Sequence, residues 1–400
     1  MPQQTIRLYD EAPYDKDFEA CVLSCVQEVD DRYSLILDRT LFFPEEGGQT
    51  PDRGMLSVSN SQLDVLDVQI TDGIIRHTVS SPVEAGSAVS GHIDWAHRYD
   101  NMRQHSGEHI LSGLVHSMYG YDNVGFRLSD HEVTVDYNGK LTDDELAGLE
   151  MAACEAIADN LTIRAEYPSA EELSALSYRS KKAIDGPIRI VTILDEEHDT
   201  GRVVDCCACC APHVRRTGEI SLLKILSAQS YKGGVRLSIA CGDRALAIFR
   251  QEHELLHSMG ESLTTSIYNL PEQISRLRDE NNSLKAALSR ARTGLLTYEI
   301  AAIPADQRDV ILFEPEGDMN VLRRMVDGLM TDRPGICAAF LGCDDAGYSY
   351  VLGSADGRAM DIQKLLAKRF GAKGGGSPRM VQGKVLGTDE KALRACLSSL

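Results

Sequence analysis

The residues best equipped for chemistry lie in two short stretches far apart in the chain. Cys206-Cys207-Ala208-Cys209-Cys210-Ala211-Pro212-His213 sets four thiols beside an imidazole, and Arg103-Gln104-His105-Ser106-Gly107-Glu108-His109 sets two histidines four positions apart. Thiolate sulfur and imidazole nitrogen are the donors that a borderline-soft ion such as zinc prefers. At a spacing of four, His105 and His109 share one helix face; Cys209 and His213 have the same spacing. Neighbouring cysteines cannot turn all their sulfurs to one point, so neither stretch fills a site alone. Together they are expected to close on one zinc ion per chain through His105, His109, Cys209 and His213. Cys210 is the substitute if Cys209 faces away, Cys206 and Cys207 have no assigned place, and His116 lies outside the set. Four protein donors make a structural or substrate-orienting zinc, whereas three donors and a water make a catalytic one that acidifies the water. Both readings stay open at this level.

A second motif overlaps the first. His105-Ser106-Gly107-Glu108-His109 also fits the inverted peptidase signature H-x-x-E-H, with Glu108 as general base. That reading needs an acidic third ligand downstream and leaves Cys209 and His213 idle. Glu108 is thus either a proton carrier or a packing companion of the helix.

These donors need a scaffold. Residues 1–95 read as a β-rich, barrel-like module, with strands at 20–29, 33–37, 63–70 and 74–79, the last two joined by the hairpin signal Thr71-Asp72-Gly73. Between them lies Gly47-Gly48-Gln49-Thr50-Pro51-Asp52-Arg53-Gly54, where glycines permit close backbone approach and Gln49 offers both a donor and an acceptor. A helix over 98–119 ends at Gly120 and carries both histidines. Residues 124–137 return as strand, and Thr142 to Glu145 and Ser169 to Glu172 are capping boxes that open helices. Strands follow at 188–194 and 203–204, then a hairpin of 220–225 with 235–240, so residues 96–242 read as α+β. One long helix is expected from 244 to about 296. Its Leu270, Ile274, Leu277, Asn281, Leu284, Leu288, Ala291 and Leu295 alternate steps of four and three, a heptad seam that suggests a homodimer through the 270–295 helix. Strands at 310–313, 336–341 and 348–352 and helices at 319–330 and 361–370 make an α/β C-terminal domain, in which residues 371–379 are expected to be a loop. The expected division is 1–95, 96–242, 243–298 and 299–400.

The 400 residues exceed one core, and no apolar run approaches the roughly 20 residues of a membrane span. The N-terminus does not read as a signal peptide. Eleven cysteines, odd in number and mostly scattered, fit reduced thiols in the cytoplasm. The net charge of -19 disfavours nucleic acid as a partner. Its distribution softens that objection: residues 301–400 are balanced, and no acidic residue falls between Gln363 and Thr388. Lys373, Gly374, Gly375, Gly376 and Arg379 lie there, glycine amides beside cations that suit a phosphate backbone.

Taken together, the His105-x-x-x-His109 helix, Cys209-x-x-x-His213 running into Val214-Arg215-Arg216-Thr217-Gly218-Glu219-Ile220, and Gly47-Gly48-Gln49 with Asp52 and Gly54 resemble the editing domain of alanyl-tRNA synthetase and its free-standing long-form relatives. The glycine-rich stretch with Pro378 and Arg379 resembles the C-terminal domain that this synthetase shares with the DHH phosphoesterases. The sequence departs from the family in carrying Cys210, Ala211 and Pro212 where two glycines and a threonine are usual, and Arg127 where a histidine follows Gly125-Phe126. The resemblance implies hydrolysis, in trans, of the ester that joins a wrong amino acid, chiefly serine and secondarily glycine, to tRNA specific for alanine. It gives the 96–242 module the role of deacylase and the 299–400 domain a place in tRNA binding and dimerisation. It implies zinc at His105, His109, Cys209 and His213, and substrate contact at Gly47, Gly48, Gln49 and the Val124-Gly125-Phe126-Arg127 strand, with Gln49 and Glu108 the candidates for acting on substrate or water. A tRNA-binding factor whose zinc is purely structural is the alternative from another class.

Overall fold

The computed structural model describes residues 4–28, 31–59, 61–180, 186–197 and 201–400. The chain divides into two compact units, Met1–Leu256 and His257–Leu400, with the boundary inside the helix Gly242–Ser262. Helix and strand are mixed throughout.

The first unit opens with a closed barrel. Its strands follow the order Asp17–Gln27, Tyr33–Leu37, Ile74–Val79, Ser61–Thr71, Gly54–Val58 and Ala88–Ile93 around the circle. Closure removes the open edges that a small sheet would otherwise expose. Period-2 alternation supplies the interior: Ala88–Ile93 reads exposed, buried, exposed, buried along its length, and Leu35, Leu37, Leu56, Ile75 and Val79 fill the middle. The strand expected at 20–29 runs Asp17–Gln27, and Val29 lies outside the described residues.

His77 sits inside this barrel with no exposed surface, its Nε2 2.9 Å from Thr40 Oγ1 and its Nδ1 3.3 Å from the Leu35 carbonyl. Burial pushes its pKa down to about 4, against a smaller opposing pull from that carbonyl. Below pH ~6.5 the unfolded chain takes up a proton that the folded chain refuses, so stability falls as pH drops from ~6.5 toward 4 and is unaffected above that window. Replacing His77 by Gln is expected to reduce the stability lost between pH 7 and pH 4.5 by roughly 2–3 kcal/mol. Urea midpoints at the two pH values, followed by the fluorescence of Trp95, the only tryptophan, measure it; equal losses in both proteins would contradict it.

After the barrel comes the helix Trp95–Tyr119. It begins three residues earlier than expected because Asp94 caps it, its side chain accepting from His97 N at 3.2 Å. Gly120 ends it with φ 68°. A four-stranded sheet ordered Leu223–Tyr231, Gly234–Cys241, Val133–Tyr137, Asn123–Leu128 and a three-stranded sheet ordered Thr162–Glu166, Ile190–Leu194, Val203–Ala208 complete this part. The single strand expected at 124–137 is a hairpin, turned where Ser129 N donates to the Glu132 carbonyl. Both capping boxes form, opening Asp143–Ala158 and Ala170–Ala175.

The long helix is interrupted. It comprises Gly242–Ser262 and Leu270–Ala302, because Thr264 turns left-handed at φ 51° and Pro271, which has no N–H to donate, starts the second helix rather than continuing the first. Along that second helix Leu270 is buried, whereas Ile274, Leu277, Leu284, Leu288 and Leu295 are exposed.

In the second unit, five strands follow the order Val310–Glu314, Ile336–Cys343, Gly347–Ser354, Met380–Val385, Lys373–Gly376. Both faces are covered. Ile336, Ala338 and Phe340 pack with Ile362, Leu366 and Leu393, while Cys337 and Ala339 pack with Leu322, Val326 and Leu296. The glycine stretch expected as a loop is itself an edge strand, Lys373–Gly376, in antiparallel register with Met380–Val385. Backbone pairing alone makes that strand, without any side-chain preference for it. No helix among the described residues is long and apolar enough to cross a membrane.

Candidate metal centre

The Trp95–Tyr119 helix is buried over most of its middle turns, and Gly113 lets it approach the Val203–Ala208 strand: a Cβ there would stand 2.1 Å from the Val204 carbonyl oxygen. That close approach brings the end of the strand, and the cysteines that follow, up to the histidines.

His105, His109, Cys209 and His213 converge, with their ligand atoms within 4.8 Å of one another. Cys209 Sγ lies 3.3 Å from His213 Nε2 and 3.6 Å from His105 Nε2. A tetrahedral zinc with bonds of ~2.0–2.1 Å to nitrogen and ~2.3 Å to sulfur separates such ligands by about 3.3–3.6 Å. The described donors are therefore chemically and geometrically fit to hold one metal ion.

Each imidazole is held from behind. His105 Nδ1 stands 2.8 Å from Gln49 Oε1, an acceptor, so the ring proton sits on Nδ1 and the Nε2 lone pair faces Cys209. His109 Nδ1 stands 2.8 Å from Asp205 Oδ2, and His213 Nδ1 stands 3.0 Å from Ser106 Oγ. Outer partners of this kind set the tautomer and aim of metal-binding histidines. Burial opposes ionisation of Cys209, but His105 and His213 outweigh it and hold the thiol well below its ordinary range.

The loop carrying the sulfur is fixed by its carbonyls. Arg189 Nη1 donates to the carbonyls of Cys209 and Ala211, and Cys209 N donates to the Arg189 carbonyl. Downstream, Thr217 Oγ1 accepts from Leu161 N and donates to the Ala156 carbonyl. Glu219 takes the amides of Arg215 and Arg216 and the phenols of Tyr14 and Tyr99. The Thr217-Gly218-Glu219-Ile220 motif is thus an anchor for the segment that bears His213.

Gln49 is fully buried beside the donors, and its Nε2 has no hydrogen-bond partner among the described residues. Its turn is pinned by a buried pair, in which the Arg98 guanidinium meets the Asp52 carboxylate while Phe43 N donates to the same carboxylate. Gly48, at φ 89°, lies so close to Phe126 that a Cβ would stand 2.4 Å from its carbonyl oxygen. A Cβ on Gly47 would meet Cys210 Sγ at 3.4 Å. Cys210 therefore packs on the glycine turn rather than among the donors, and burial raises its thiol pKa. Cys206 Sγ accepts from Thr192 Oγ1 at 3.7 Å.

Other expected residues lie apart. Val124 is exposed, Gly125 opposes Asp136, and Arg127 is exposed opposite Thr134. It is Phe126 that lies against the site, its ring 4.7 Å from that of His105. Glu108 Oε1 accepts from Ser112 Oγ and Asn123 Nδ2, each at 2.5 Å. In the second unit, Lys373, Gly374, Gly375, Gly376 and Arg379 are all exposed. Asp205, Ser106 and Arg189 escaped the sequence reading, and Phe126 entered it only as one member of the Val124-Gly125-Phe126-Arg127 strand.

Two segments match family models: residues 13–97 match class II (A) tRNA synthetases, and residues 188–237 match the second additional domain of threonyl and alanyl tRNA synthetases. The barrel and the cysteine-bearing segment thus resemble parts of class II synthetases. At full length the chain resembles the long-form alanyl-tRNA editing proteins. It is 27% identical to the alanyl-tRNA editing protein AlaX-L of Pyrococcus horikoshii over 98% of both chains. It is also similar to alanine–tRNA ligases, being 29% identical to that of Pyrococcus abyssi over 96% of this chain and 30% identical to that of Pyrococcus furiosus over 82%. Of those two ligases it spans 42% and 35%, less than half of either.

Proposed function

We propose that this protein is a trans-acting aminoacyl-tRNA deacylase that clears mischarged tRNA(Ala), chiefly of serine and secondarily of glycine, at a zinc site. The observation that carries this reading is the joining of three imidazoles and one thiolate beside a buried glutamine amide with an unspent donor. His105, His109, Cys209 and His213 would hold the ion, one per chain. Zinc, when bound, polarises an ester carbonyl or acidifies a water.

The remaining steps fall to the chain's own groups. Gln49 cannot rotate freely, because its Oε1 is taken by His105, so its Nε2 is presented in one direction. A serine hydroxyl can satisfy that donor, whereas alanine leaves it buried and unpaired at a cost of about 1–3 kcal/mol. That difference supports discrimination of the kind a synthetase pocket sized for alanine cannot achieve against serine. Phe126 and Gly48 wall the approach, and an ester is reactive enough that positioning supplies much of the rate. The contacts of Glu108 with Ser112 and Asn123 favour its reading as a packing companion, one that holds the start of the Asn123–Leu128 strand. They correspondingly weaken the peptidase reading, which needs that carboxylate as base.

In the same reading the exposed Lys373–Gly376 edge strand and Arg379 hold the tRNA backbone. The exposed leucine seam of the Leu270–Ala302 helix pairs with a second copy, assisted by the C-terminal domain. The working units are a barrel (1–95), a deacylase module (96–242), a helical segment (243–298) and a tRNA-gripping domain (299–400). The compartment is the cytoplasm, where eleven free cysteines stay reduced.

Incubation with serine-charged and alanine-charged tRNA(Ala) tests the proposal. Serine is expected to be released about 5- to 150-fold faster than alanine, matching the cost of about 1–3 kcal/mol for the unpaired donor. Tight binding with release of neither would instead favour a tRNA-binding factor with a structural zinc.

A further inference from the structure

A second convergence adjoins the first: ligand atoms of His109, Asp205 and Cys207, all three buried, also fall within 4.8 Å of one another. Taken as donor types alone, this group could be a second ion site sharing His109. Its surroundings argue otherwise. The Arg179 guanidinium lies on the same carboxylate, with Nε 2.8 Å and Nη2 2.7 Å from Asp205 Oδ1. That cation already compensates the carboxylate, and a divalent ion beside it would meet direct repulsion in a buried setting.

We propose that Asp205, locked by Arg179, is the positioning residue that aims His109 at the single ion, and that the His109–Asp205–Cys207 group holds no metal of its own. The inference rests on the zinc reading above. Both oxygens of Asp205 are committed, Oδ2 to His109 Nδ1 and Oδ1 to the guanidinium, so its side chain has one available orientation. Arg179 is placed by the strand that carries Asp205: Arg179 N donates to the Cys206 carbonyl and Ala208 N donates to the Arg179 carbonyl, which extends the edge of Val203–Ala208. The segment around Arg179 is thereby built into the metal centre. The other two imidazoles lean on neutral partners, Gln49 and Ser106, so His109 is the one whose basicity an anion raises.

The test is zinc content and zinc affinity of the full chain, the latter by chelator competition, with cobalt(II) spectra to report ligand geometry. The wild type is expected to bind one ion per chain. Asp205→Asn and Arg179→Met should each weaken affinity by roughly 10–100-fold and shift the cobalt spectrum. Asp205→Glu should recover part of the loss, and Cys207→Ser should change neither stoichiometry nor affinity. Thermal midpoints of the metal-free proteins separate this effect from simple loss of packing, which would lower them in step with affinity and overturn the inference. If Asp205→Asn does not fold, Arg179→Met carries the test. Unchanged affinity in these variants, with the wild type still binding one ion, would refute the positioning role and leave the zinc reading standing. Two ions in the wild type, falling to one in Cys207→Ser, would refute it as well. A wild-type chain that loads no ion removes both.

Discussion

Replacing Cys209 by Ala is expected to lower zinc affinity by more than about 100-fold, beyond what losing an outer-shell partner does, and to abolish release of serine from tRNA(Ala). The sulfur lies within 3.6 Å of two of the three imidazole Nε2 atoms, and those rings are only 3–4% exposed. No neighbouring thiol is placed to substitute. Cys210 faces the Gly47 turn, and Cys207 lies on the Asp205 side of His109. Zinc content after dialysis against chelator, measured alongside deacylation, checks the prediction. A variant that keeps its zinc and its activity would show that the sulfur is dispensable. The buried glutamine gives a contrast, because Gln49→Ala removes no ligand and should cost serine release more than zinc.

The second large effect is on stability. Arg98 is fully buried, with Nε 3.0 Å from both oxygens of Asp52 and Nη1 3.0 Å from the Pro13 carbonyl. Arg98→Met leaves the Asp52 carboxylate buried with only the Phe43 amide, and leaves backbone carbonyls unpaired. Breaking one side of a buried pair costs about 3–5 kcal/mol. The expected result is an unfolding free energy lowered by that amount in urea denaturation, read from Trp95 at the first turn of the same helix. A shift below about 1 kcal/mol would mean that the pair is solvated and does not tie barrel to helix. The functional loss should follow the stability loss, since Asp52 closes the turn that presents Gln49.

How far the sequence alone reached depends on the kind of signal each residue carries. His105 and His109 are rare donor types at a spacing that one helical turn converts into a shared face; Cys209 and His213 lie in a loop, where the rarity of the donor types and not the spacing carried the signal, and all four converge. Asp205 and Ser106 are common residue types. Their roles depend on how the Val203–Ala208 strand and the loop after it lie against the histidine helix, an arrangement set by long-range packing such as the close approach at Gly113. Four of the six barrel strands were legible as strand-like runs, but Gly54–Val58 and Ala88–Ile93 were not, and closure between Asp17–Gln27 and Ala88–Ile93 pairs distant segments and leaves no local trace. The helix break at 263–269 was signalled by Pro271, but the heptad steps run through that proline and masked it. The glycines at 374–376 have no β preference, so only their pairing with Met380–Val385 reveals a strand.

Completion of one zinc site by two remote segments is read out most directly by X-ray absorption at the zinc edge of the purified protein. The expected result is one zinc per chain with three nitrogen neighbours at about 2.0–2.1 Å and one sulfur at about 2.3 Å. A chain that retains no zinc, or a first shell of oxygen and nitrogen without sulfur, would contradict it.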